Sequence, residues 1–220
     1  MKYIITESQY KLLTEGKIYA VDFSNFNYNW NILQRHLKFK GNPPYKLIGN
    51  LDLSTTDIKT LGSLVGVEGF LNLRNNKTIE DLGNLQYVGG ELDLTNSDIK
   101  SLENLKSVGG DLRMVNSIVE SLENLETVEG NLYMRNSYVL TLSNLKSVGH
   151  NLDCRNYVLK SLGKLETVGG YLYVEDTNID SLGNLKYVEE DFYLGATPLS
   201  RKTTEEEIRA QVTVGDWIDM

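Results

Sequence analysis

The chain has 220 residues, 40% of them apolar and 24% charged, which suits one domain with a real core and excludes global disorder. Its net charge of −8 argues against nucleic acid as the main partner, because phosphate binding needs clustered Lys and Arg. The single cysteine, Cys154, cannot form an internal disulfide, and no apolar run approaches the ~20 residues of a membrane span or the length of a signal peptide, so a soluble cytoplasmic protein without membrane contact is expected.

In chain order, the first 40 residues carry Lys2, Lys11, Lys17, Arg35, Lys38 and Lys40 against Glu7, Glu15 and Asp22. This arm is positive and the remainder negative, which reads equally as a separate role for the arm and as attraction to the first coil. Thr6-x-x-Gln9 reads as a helix start and Gly16 as its stop. The same stretch, with Ile5-Thr6-Glu7 and Leu13-Thr14-Glu15-Gly16, resembles the head-targeting leaders of internal proteins in T-even-like tailed phages. That resemblance implies cleavage at Glu7 or Glu15 and a place in a virion; the alternative is an ordinary capping helix. Trp30, Leu33 and Leu37 then recur at helical spacing up to Gly41, and Pro43-Pro44 marks the start of the repeats.

From Asp81 the sequence repeats every 20 residues, six times without a gap, in units such as SLENLKSVGGDLRMVNSIVE from Ser101. Thr60 to Glu80 is the same unit with one extra residue near Asn76-Lys77, and the preceding unit keeps only its second half, from Leu51. Six columns are apolar. Two of them, represented by Leu112 and Met114 or Leu132 and Met134, are two residues apart, which is strand spacing. Gly pairs such as Gly109-Gly110 fit a tight corner into that strand. About ten residues remain for the return path, too few for a helical crossover, so the return is expected to be extended or 3₁₀-like. One coil cannot bury its apolar face alone, whereas stacked coils can.

The pattern Leu92-x-Leu94-x-Asn96-x-x-Ile99-x-x-Leu102 resembles a leucine-rich repeat, and the Leu-x-x-Val-Gly-Gly-x-Leu-x-Leu rhythm is most similar to receptor L domains and their short-repeat relatives. The resemblance covers about residues 46–200. It implies a mostly β, right-handed solenoid of parallel strands with about eight coils and short helical caps at both ends. The organisation it suggests is a helical or mixed cap over 1–45, the solenoid over 46–200, and a capping helix and tail over 201–220. The Asn column (Asn75, Asn96, Asn116, Asn136, Asn156, then Asp176) sits one residue earlier than usual, often followed by Ser or Thr. It reads as a ladder satisfying backbone groups at the strand exit.

At the far end, Thr203-Thr204-Glu205-Glu206-Glu207 is a capping-box start. A short helix should follow with Ile208 and Val212 on one face, and Trp217 and Ile218 closing over the last coil.

Enzyme signatures are scarce. His36 falls in the expected helix and His150 at a corner, and Cys154 lies in a core column. No phosphate loop, dinucleotide fingerprint or paired-cysteine motif is present. Asp52, Asp93 and Asp153 share an outward column, but Asn72 and Arg113 interrupt it, so no metal and no cofactor are expected. The outward strand positions vary while the core columns are monotonous, and their C-terminal half gathers Arg113, Tyr133, Arg135, Arg155, Tyr171, Tyr173 and Tyr193. Tyr and Arg are enriched at binding hot spots; Tyr is also a good strand residue that stacks between coils. Leucine-rich-repeat proteins mostly bind proteins, so a non-catalytic protein-binding module is expected. The alternatives are a structural or particle component, including a self-associating solenoid, and a glycan binder.

Overall fold

The valine at each glycine corner is a strand residue in its own right. The computed structural model describes residues 18–220, and each coil in it supplies two short strands, one on either side of the corner. One repeat gives Ser107–Val108 and Leu112–Arg113; the next gives Thr127–Val128 and Leu132–Tyr133. The sequence reading placed only the second of each pair in a sheet. The return path is extended as expected, but its valines also pair laterally.

All pairing is parallel and in register through the regular repeats. Val128 lies opposite Val108 and Val148, and Leu132 opposite Leu112 and Leu152. The outcome is a parallel β-solenoid with a ten-stranded valine sheet and a nine-stranded leucine sheet. Eight repeat strands, from Leu51–Asp52 to Phe192–Tyr193, span about seven full turns. The corner is tight: a Cβ on Gly149 would sit 2.0 Å from the Glu129 carbonyl oxygen of the coil before it. Glycine therefore lets successive coils approach to strand-pairing distance there.

The six apolar columns are buried from end to end, each side chain covered by its counterparts one coil away. At about 1.5–3 kcal/mol per buried Leu, Val or Met, stacking is the dominant stabilising term and the coil alone has no core. Cys154 fills its slot beside Met134 and Val174, fully buried, and burial pushes its thiol well above the usual range.

The expected Asn ladder is displaced. Asn75, Asn96, Asn116, Asn136 and Asp176 take left-handed backbone conformations with φ between 54° and 58°, which Asn and Asp tolerate better than other side chains. They form the turn, and their side chains bond one another from coil to coil, Asn96 Nδ2 to Asn75 Oδ1 and Asn136 Nδ2 to Asn116 Oδ1 at 2.9 Å, instead of satisfying backbone groups. The buried polar column is the next residue: Ser117 donates to the Met114 carbonyl at 2.7 Å, and Thr177 to the Val174 carbonyl at 2.7 Å. In the repeat with an extra residue, Asn76 takes this slot and donates to the Leu53 and Thr56 carbonyls at 2.9 and 3.0 Å. Asn156 also turns inward into the slot, and the turn moves on to Tyr157 and Val158. A second asparagine ladder lies on the return path, where Asn104, Asn124 and Asn144 donate to the carbonyls of Gly83, Glu103 and Glu123 at 2.8–3.0 Å.

Both described ends are closed. Tyr19–Asp22 pairs with Tyr45–Ile48 and begins the valine sheet, a strand the sequence reading missed. Helix α1 (Trp30–Phe39) starts at Asn29, whose side chain accepts from the Ile32 N–H, and buries Trp30, Leu33 and Leu37 as expected. The expected helix over 6–16 and the candidate cleavage positions Glu7 and Glu15 lie outside the described residues. At the other end Thr204 and Glu207 form the capping box of α2 (Glu205–Arg209), and Ile208 and Val212 are buried. The chain then makes a ninth rung: Thr213–Val214 extends the valine sheet and Ile218–Asp219 the leucine sheet. Ile218 closes over the last coil, but Trp217 does not. It occupies an outward strand position and is 68% exposed, because strand alternation sends neighbouring side chains to opposite faces. No helix among the described residues is long and apolar enough to cross a membrane.

Candidate functional site

The outward face of the leucine sheet is a grid. Register places Arg113, Tyr133, Asp153, Tyr173, Tyr193 and Asp219 side by side in its middle column, one per rung. Tyr171 and Trp217 belong to the column before it, and Arg135 and Arg155 to the column after it. All seven residues singled out from the sequence lie on this face, and none is buried. Sequence reading missed Trp217, although its signal was present: Val214 and Ile218 are spaced as Val188 and Phe192 are.

The side chains are already engaged with one another. Arg155 grips Asp153 with two bonds, Nε to Oδ1 at 2.9 Å and Nη2 to Oδ2 at 2.6 Å, and Arg135 reaches the same carboxylate at 3.2 Å. Arg113 donates to Glu91 and Asp111, both at 2.7 Å. The guanidinium carbons of Arg113 and Arg155 lie 4.7 and 4.9 Å from the ring centres of Tyr133 and Tyr173. The Tyr173 and Tyr193 rings stack at 4.8 Å with 12° between their planes, and Tyr171 leans on Tyr173 at 5.9 Å. Tyr193 donates to Asp191 at 2.8 Å, and that bond pushes its phenol up to about 12.

Asp and Asn side chains in these columns also hold backbone. Asp111, Asn131 and Asn151 each accept the N–H of the next residue in their column, at 2.9–3.1 Å, and Asp191 accepts that of Trp217 at 3.0 Å. Asp52, Asp93 and Asp153 each accept the N–H two residues on, forming the strand-exit turn. Asp52, Asp93 and Asp153 are thus turn-formers, and Asp153 is an arginine anchor besides. No group of three or more His, Cys, Asp or Glu among the described residues is placed to hold a metal ion.

The chain matches no family model, no curated protein and no solved structure among those compared with it. The chemistry of the face is therefore its own witness. Half-exposed rings held by stacking and by charge-assisted bonds present rigid apolar area at little entropic cost. A separate cleft of about 450 Å³ lies on another face, between Lys59, Lys77, Glu80, Asp98, Lys100 and Ile118. Two of its ion pairs are internal, Lys59 with Glu80 at 2.7 Å and Lys77 with Asp98 at 2.8 Å.

Asp153 gives the face a pH dependence. Burial alone would raise its carboxyl, but the Arg155 hydrogen bonds and the charges of Arg155 and Arg135 outweigh burial and lower it. A depressed folded-state value contributes stability that is present above the ordinary Asp range near ~3.9 and is lost as pH falls through the folded value. The stability gap between the wild type and Asp153→Asn, followed by urea unfolding, is expected to be widest well above the ordinary Asp range and to narrow as pH falls through that range toward the lowered folded-state value. A gap independent of pH would show that Asp153 holds its arginines without charge.

Proposed function

We propose that the chain is a non-catalytic protein-binding module of the leucine-rich-repeat type, and that its partner docks on the outward leucine-sheet face over the last five rungs. The observation that supports this reading most is the stacked Tyr171–Tyr173–Tyr193 strip, braced by Arg155 and left open to solvent. The anchors are Tyr133, Tyr171, Tyr173 and Tyr193, to which Trp217 is added. Arg113 and Arg155 act first as braces for the rings they cover, and Arg135 as a second hold on Asp153, since their carboxylate partners are on their own sheet. Their remaining N–H groups serve the partner second. The reading as a leucine-rich repeat rests on the 20-residue period, the leucine strand positions and the L-domain-like rhythm; a protein ligand and the absence of catalysis follow from it as proposals.

Tyr133→Ala with Tyr173→Ala is the test. Capture of the partner from the native source is expected to fall at least about tenfold, the size of a hot-spot loss, while thermal unfolding shifts by only a few degrees because both rings are half-exposed. Unchanged capture would sink the proposal, and a glycan array on the same variants separates sugar stacking from protein docking.

A second reading, a particle component, rests on the leader-like Ile5-Thr6-Glu7 and Leu13-Thr14-Glu15. Sequencing the N-terminus of the protein from particles decides it, since an intact Met1 rules out cleavage.

A further inference from the structure

On the return path, residues two positions apart straddle the buried Val119–Val139–Leu159 column and share a third face of the solenoid. One column on this face runs Lys59, Glu80, Lys100, Glu120, Leu140, Lys160, Asp180. Its members are neighbours in space: the Glu80, Glu120 and Lys160 N–H groups donate to the carbonyls of Lys59, Lys100 and Leu140 at 2.7–2.8 Å. Beside it runs a column in which Ile118, Tyr138 and Val158 are consecutive. The centre of this face is apolar and uncovered. Tyr138 is 58% exposed, Leu140 49%, and the neighbouring Tyr157 75%, thrown outward by the inward turn of Asn156.

The charges around that centre are antisymmetric. Counting outward from Leu140, Glu120 on one side matches Lys160 on the other, and Lys100 matches Asp180. Two copies of the face, laid together about a two-fold axis along the Leu140 rung, set Glu120 against Lys160 and Lys100 against Asp180, each pair twice. The same operation sets Leu140 and Tyr138 against their own copies and Ile118 against Val158. A second observation points the same way. Lys59 and Glu80, farther along the column, are paired at 2.7 Å, whereas Lys100, Glu120, Lys160 and Asp180 make no ion pair with a described residue.

We propose that this third face is a self-complementary interface and that its partner is a second, antiparallel copy of this chain. An isologous contact of this kind closes on itself, so it gives dimers and not fibres. It leaves the tyrosine face free on both copies.

Light scattering on the full chain over a series from about 1 to about 300 µM is expected to show a reversible dimer. Leu140→Asp sets two carboxylates together on the axis and should leave a monomer with unchanged circular dichroism. Glu120→Lys and Lys160→Glu singly create two like-charge contacts per dimer, and each should weaken it at least about tenfold. The two combined restore both pairs and should restore the dimer, a rescue that a merely structural effect does not give. Leu140→Cys should cross-link to itself on mild oxidation, while Glu80→Cys should not. A monomer throughout the series, or a dimer indifferent to Leu140→Asp and to the charge swaps, would overturn the proposal.

Discussion

Deletion of residues 203–220 is expected to leave a chain at least about 4 kcal/mol less stable that self-associates on concentration. The deletion takes away Ile208, Val212, Val214 and Ile218, all buried, at about 1.5–3 kcal/mol each before the ordering entropy of the lost segment is set against them. It also uncovers Phe192, Leu194 and Leu199 and bares the backbone of both last strands: the Phe192 and Leu194 N–H groups now donate to the Trp217 and Asp219 carbonyls at 2.8 and 2.9 Å, and the Lys186 and Val188 carbonyls accept from Thr213 and Gly215 at 2.9 and 3.0 Å. An open edge backed by exposed core is a template for pairing with another chain. Urea unfolding and light scattering read the two effects separately. A truncated chain with the original stability and mass would show that the ninth rung is an ornament. The milder Thr204→Ala leaves the rung in place and removes only one side of the capping box, so it should cost about 1 kcal/mol.

The solenoid was legible because its core is written in columns, and a period of 20 survives any error about a single coil. What escaped were features that depend on backbone conformation. The valine sheet was hidden because each of its strands carries a single apolar column, as Val128 in Thr127–Val128, whereas Leu132 and Met134 show the two-residue alternation of the other sheet. The asparagine column was expected to satisfy backbone groups because Asn is equally suited to a left-handed turn and to a hydrogen-bonded slot. The following residue held the clue: Ser137 is small and polar enough to fill the slot after Asn136, whereas Tyr157 is not, so Asn156 takes the slot itself. The ninth rung was missed because its one apolar-to-apolar spacing, Val214 to Ile218, lies behind an intervening helix that breaks the period. The face itself was legible as a set of variable positions. That Arg155 would take Asp153 of its own strand, and not a partner's carboxylate, was not. Register sets which rungs are neighbours, but side-chain reach decides the pairing.

Leu132→Ala is expected to cost about 3–4 kcal/mol, near the top of the range for a buried leucine. Leu132 is fully buried on the fifth rung, and its covering neighbours are Leu112 and Leu152. Those neighbours are fixed by backbone hydrogen bonds on both sides: the Leu112 and Leu132 N–H groups donate to the Asn131 and Asn151 carbonyls at 2.8 and 2.9 Å. They cannot slide inward to fill the gap without breaking the ladder, so the cavity persists. Ile218→Ala, on the terminal rung with a neighbour on one side only, should cost about half as much, because in a linear stack each coil's stability is a sum over the interfaces it makes. Leu132→Asp places an unpaired charge in the same dry column, and protection from hydrogen exchange should vanish first in the rungs flanking position 132. Equal costs at Leu132 and Ile218 in denaturant titrations would mean that stability is not passed from coil to coil, and the nearest-neighbour account of this fold would fail with that result.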